Sequence, residues 1–195
     1  MPLVRIVMHW TAGGYQANSV DREHYHEIVE GDGNRVLGVR RPEANNSTSD
    51  GDYSAHIRAF NTGSIGLSVA AMAGADHKPF KKGQAPITEE QLNAFVEVVA
   101  EYADTYGINI DREHVFTHAE APITHNKPQP GKWDITWIPG MTKPGDPIEV
   151  GDQLRKMVKE AHSRLFSNTS ARQTLNQTSA EELAALIVEF MDRRS

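Results

Sequence analysis

Apolar residues recur along this chain in two rhythms, and the changes between them mark out strands and helices. Leu3 to His9 is a run of long apolar and β-branched residues that stops at the small-residue turn Trp10-Thr11-Ala12-Gly13-Gly14, which predicts a strand with His9 at its C-terminal end. A second strand is predicted over His24 to Val29. Glu30-Gly31-Asp32-Gly33-Asn34 then turns the chain into a third over Arg35 to Val39, completing a hairpin. Ser64 to Met72 reads as a central strand, and His114 to His118 as a further short one.

The longer rhythm begins at Thr88-Glu89-Glu90-Gln91, a capping-box pattern in which a threonine hydroxyl and a glutamine side chain satisfy each other's backbone donors. Leu92, Phe95, Val96, Val99, Tyr102 and Ala103 follow at the three-and-four spacing of one buried face, and Gly107 is placed to end the helix. Val150 to Phe166 repeats the pattern with Leu154, Met157, Val158, Ala161 and Leu165. The stretches 41–53, 73–86 and the Pro-rich 121–140 are polar or broken and read as loops. This predicts one α/β domain over residues 1–166, then a polar linker and a last amphipathic helix within 167–195.

Composition narrows the function. A chain of 195 residues suits one domain with a full core. Its net charge of -6 argues against a surface that collects nucleic acid, which needs clustered Lys and Arg. With no cysteine, disulfides and thiolate metal sites are unavailable, so a transition metal must be held by His, Asp or Glu. No apolar run reaches the ~20 residues that span a bilayer, and no charged leader or small-residue cleavage site precedes the first strand. The expectation is a soluble protein made in the cytoplasm without a signal peptide and without stable membrane insertion.

A lone histidine is more often structural than a ligand. His9 and His118 differ from the other histidines in lying where an apolar strand gives way to a small or polar loop, the place where α/β folds expose side chains at a functional edge. A catalytic zinc takes about three protein ligands and keeps one position open, with imidazole and carboxylate serving where thiolate is absent. Asp134 can supply the third ligand. If Gly131-Lys132-Trp133-Asp134 is extended, Lys132 and Asp134 project to the same side, which puts an ammonium beside the metal to stabilise an oxyanion. His125 is a rival third ligand.

Five motifs occur in order: Ile6-Val7-Met8-His9-Trp10-Thr11-Ala12, His24-Tyr25-His26-Glu27-Ile28-Val29, Asn61-Thr62-Gly63-Ser64-Ile65-Gly66-Leu67, Phe116-Thr117-His118-Ala119-Glu120 and Gly131-Lys132-Trp133-Asp134. In this the chain resembles the type 2 zinc N-acetylmuramoyl-L-alanine amidases, which include phage endolysins and share a fold with peptidoglycan recognition proteins. The resemblance runs from about Val4 to Trp137. It implies a central mixed β-sheet flanked by helices, a Zn2+ ion on His9, His118 and Asp134, and catalytic roles for Tyr25 and Lys132. His56, Asn61 and Thr11 become substrate-binding candidates, and peptidoglycan or a muropeptide becomes the partner.

The sequence departs from the family in two places. The sixteen positions from His118 to Asp134 exceed the gap of many members, so the Pro-rich loop looks like an insertion. Ser68 stands where some relatives carry a glutamate general base, so proton handling falls to Tyr25, as in tyrosine-using phage enzymes. The expected role is therefore a phage or prophage endolysin that reaches the wall once the membrane is breached. A recycling amidase acting on anhydromuropeptides and a non-catalytic peptidoglycan-binding module are the alternatives.

Overall fold

The computed structural model describes residues 2–166. These form a five-stranded mixed sheet in the order β3-β2-β4-β1-β5, from β1 (Arg5–Trp10), β2 (Glu27–Val29), β3 (Arg35–Leu37), β4 (Ser64–Val69) and β5 (Val115–Thr117). β1 lies parallel between β4 and β5, and β2 pairs parallel with β4 and antiparallel with β3. The central strands are buried on both faces, so Ile6 to Met8 reads as a continuous apolar run, while Ile65 to Val69 alternates large apolar residues with the small, equally buried Gly66 and Ser68. The expected mixed α/β sheet flanked by helices is present. The expected linker and last helix lie outside the described residues.

Helix α2 (Glu89–Tyr106) packs Leu92, Phe95, Val96 and Val99 into the main core beside Ile6, Met8, Ile65 and Leu67. It stops at Gly107, whose φ of 62° is the left-handed conformation that glycine adopts without a Cβ penalty. At its start only half of the capping box forms. Thr88 accepts from the Gln91 backbone, but the Gln91 side chain donates instead to the carbonyls of Val29 and Ala70, tying off the ends of β2 and β4. A last described helix, α4, covers residues 147–166 and starts three residues before the apolar pattern does.

Four sequence expectations shift. Residue 24 ends a short helix, α1 (Ser19–His24), and β2 begins only at Glu27, so Tyr25 sits on the link between them rather than in a strand. The cause is local. Asn18 accepts from the backbone of Val20 and Asp21 while Asp21 accepts from the Asn18 backbone, a reciprocal cap that nucleates one turn. β4 ends at Val69, and β5 ends at Thr117, leaving His118 in a single 3-10 turn, His118–Glu120. The Pro-rich loop opens with a four-residue helix, α3 (Ala121–Thr124).

Candidate metal centre

His9 is the penultimate residue of β1 and lies in register with Ser68 on β4. His118 follows immediately after β5, the other neighbour of β1. Two adjacent strands thus deliver two imidazoles to one end of the sheet, with ring centroids 4.7 Å apart. The third group comes from a remote segment. The Asp134 carbonyl accepts from the Ala119 N–H at 2.6 Å, which locks that segment to the turn carrying His118. Its carboxylate Oδ2 then lies 3.0 Å from His9 Nδ1 and 3.1 Å from His118 Nδ1.

All three donor atoms lie within 4.8 Å of one another, and all three residues are buried. Tetrahedral zinc with bonds of ~2.0–2.1 Å separates neighbouring ligand atoms by about 3.3 Å, close to the carboxylate–imidazole separations seen here. Two imidazoles and one carboxylate also form an ordinary donor set for a catalytic zinc that leaves one position open. The residues therefore fit the ion.

Electrostatics favour the ligating protonation states. Burial pushes His9 down to about 4, a shift that hydrogen bonding to Asp134 only partly opposes. Asp134 feels burial in the opposite sense, but its hydrogen bonds to His118 and His9 overcome that and hold the carboxyl well below the usual carboxylate range. Neutral imidazole and ionised carboxylate are the forms that bind a divalent cation.

The other predicted site residues fall around this group. The Tyr25 ring stands 5.2 Å from the His9 ring, within the field of Asp134 and beside Ser68. Burial, then the Asp134 and Asp21 charges, raise its hydroxyl, so it keeps its proton. Lys132 is exposed and near enough to His9 to disfavour its protonated form. Between Lys132 and Asp134, Trp133 packs edge-on against Trp10 at 4.5 Å and stacks on His77 at 5.1 Å, bracing the segment.

His56, Asn61 and Thr11 are engaged inside the protein. The buried His56 ring places Nδ1 3.1 Å from His9 Nε2 and Nε2 3.3 Å from the Ser64 carbonyl. Gly66 has to be glycine here, because a Cβ would meet that ring at 2.4 Å. Asn61 accepts through Oδ1 from the backbone of His56 and Ile57. Thr11 accepts from Gly13 and Ala71.

His125 lies apart, its ring against Phe116 at 4.2 Å and its Nε2 donating to the Glu113 carbonyl. Glu120 does not hydrogen-bond the His118 ring, whose partners are Asp134 and Gln129; it accepts from Thr117 and Arg155. Gln129 escaped the sequence reading. It is a buried side chain of the Pro-rich loop with Oε1 3.0 Å from His118 Nε2. The prolines that flank it, Pro128 and Pro130, were the one available hint, since they restrict the backbone there.

The model of the family described as N-acetylmuramoyl-L-alanine amidase matches residues 1–132, about two thirds of the chain. The match ends two residues before Asp134, which only the geometry joins to the two histidines. Among solved structures, Staphylococcus aureus hydrolase AmiA aligns at 16% identity and TM-score 0.48, over 83% of this chain and 73% of that one. The Ph2119 endolysin from a Thermus scotoductus bacteriophage aligns at 22% and 0.41, over 62% and 73%. Drosophila peptidoglycan recognition protein SD aligns at 20% and 0.41, over 61% and 70%. No curated protein matches the chain in sequence.

Proposed function

Because the chain belongs to the N-acetylmuramoyl-L-alanine amidase family, we propose that it is a zinc-dependent hydrolase that cleaves the amide between N-acetylmuramic acid and L-alanine in peptidoglycan. The observation that carries the proposal is the convergence of His9, His118 and Asp134, three buried donors from segments far apart in sequence. Non-catalytic recognition domains typically lack one of these ligands, whereas all three are present in this chain.

His9 Nδ1, His118 Nδ1 and Asp134 Oδ2 are the atoms that would hold the ion. Held there, zinc would supply Lewis acidity and a water made nucleophilic near neutral pH. Tyr25 keeps its hydroxyl proton and acts as a hydrogen-bond donor that orients the attacking oxygen or the developing oxyanion. Lys132 brings a positive charge to the same edge and stabilises the oxyanion electrostatically. Ser68 lies beside the tyrosine, and its presence in place of a glutamate leaves the proton-handling role to Tyr25.

The finer role we propose is that of a phage or prophage endolysin acting on the intact wall, supported by the tyrosine-and-serine arrangement. The test compares two substrates, purified sacculi and a soluble anhydromuropeptide, with new alanine amino termini as the readout. Preferential turnover of sacculi is expected. Preference for the soluble muropeptide identifies a recycling enzyme, and binding to sacculi without new amino termini identifies a recognition module.

A further inference from the structure

Each ring nitrogen that faces away from the Asp134 carboxylate has a defined partner, and one partner dictates where a proton must sit. Gln129 is held against the Arg58 peptide by two hydrogen bonds: the Arg58 N–H donates to Oε1 at 3.2 Å and Nε2 donates to the Arg58 carbonyl at 3.0 Å. This pairing fixes which end of the amide is oxygen, since a flipped side chain would set donor against donor and acceptor against acceptor. The atom 3.0 Å from His118 Nε2 is therefore an acceptor.

From this geometry we infer that Gln129 is a positioning residue that holds a proton on His118 Nε2 and so keeps Nδ1, the nitrogen that faces Asp134, as the one that would bind the ion. The inference rests on the metal-binding reading above. It concerns the proton on the far nitrogen of a ligand, which a hydrogen-bond partner selects. The segment bearing Arg58 also serves the other imidazole, because His56 lies behind His9 Nε2, and Asn61 shapes it by accepting from the His56 and Ile57 backbone. The long gap between His118 and Asp134 thus has a use: it carries Gln129 across to Arg58. The Arg58 side chain is exposed, so only its peptide is needed.

The test uses the full chain stripped of metal, with two readouts that do not require activity. Nitrogen-15 spectra of the histidine rings in the wild type should show a proton on His118 Nε2 before any zinc is added; a bare Nε2, with the ring proton on Nδ1 alone, overturns the inference. Zinc affinity, measured by chelator competition, should fall by roughly ten- to a hundredfold in Gln129→Met. Gln129→Glu keeps an acceptor and should lie between that variant and the wild type. Equal affinity of Gln129→Met and wild type also overturns the inference. Thermal unfolding of the metal-free variants identifies any loss of fold, in which case the wild-type spectra decide. Should the wild type bind no zinc, the metal-centre reading fails, while the spectra still judge the His118 tautomer separately.

Discussion

Arg155 of α4 grips the buried carboxylate of Glu120 with two hydrogen bonds, at 3.0 and 2.8 Å, behind the turn that presents His118. Glu120 also caps that turn through the Thr117 N–H at 2.7 Å, and a Cβ on Gly151 would meet its carboxylate at 2.1 Å. Burial raises the Glu120 carboxyl above its ordinary value even though Arg155 and the Thr117 N–H favour its charged form. The pair is a keystone for the second imidazole rather than a reacting group.

Removing one partner leaves the other buried and uncompensated. Arg155→Met should cost about 3–5 kcal/mol of folding stability in urea titration, and should weaken zinc binding because the His118 turn loosens. The double variant Arg155→Met/Glu120→Leu should recover much of the stability. A single variant as stable as wild type would show that the pair contributes nothing.

Stability of the metal-free protein should fall on acidification, with His26 as a main contributor. Its Nδ1 accepts the Gly66 N–H at 2.9 Å, and its Nε2 lies 3.2 Å from the Asn45 Oδ1, so the neutral ring is satisfied on both nitrogens. Burial pushes it down to about 4 from 6.5. The unfolded chain takes up the proton below about 6.5 and the folded one only near 4, so the stability is full above that window and is lost as pH falls through it. His26 alone accounts for about 3 kcal/mol over those units. Urea midpoints from pH 7.5 to 4.5 check this, and the slope should flatten in His26→Gln.

Tyr25→Phe and Lys132→Met separate chemistry from metal binding. Neither side chain is a ligand, so both variants should hold zinc as the wild type does. Tyr25→Phe should lower kcat/KM by roughly 10²–10⁴-fold, and Lys132→Met by about a hundredfold, because its ammonium is exposed to solvent. Retained turnover in both would remove these residues from the mechanism.

Legibility in the sequence followed the range of the interactions. β1, β4 and α2 were readable because their signals are local: apolar runs, the Thr88 cap and Gly107. His9, His118 and Asp134 could be proposed from residue type and position, yet only the sheet order and the Asp134–Ala119 backbone bond bring them together. The helix at 19–24 escaped notice because six residues around an exposed Val20 show no periodicity, and its Asn18–Asp21 cap is the sole marker. Gln91 pairs with backbone 21 and 62 positions away, and Gln129 with Arg58 71 positions away, at distances no local pattern encodes.

Calorimetric titration of zinc into the metal-free protein tests the metal centre most directly. One ion per chain should bind the wild type, and the site should be lost in His118→Ala and in Asp134→Ala while both variants stay folded. A wild type that binds no zinc, or variants that bind it as tightly as the wild type, would contradict the assignment of these side chains as ligands.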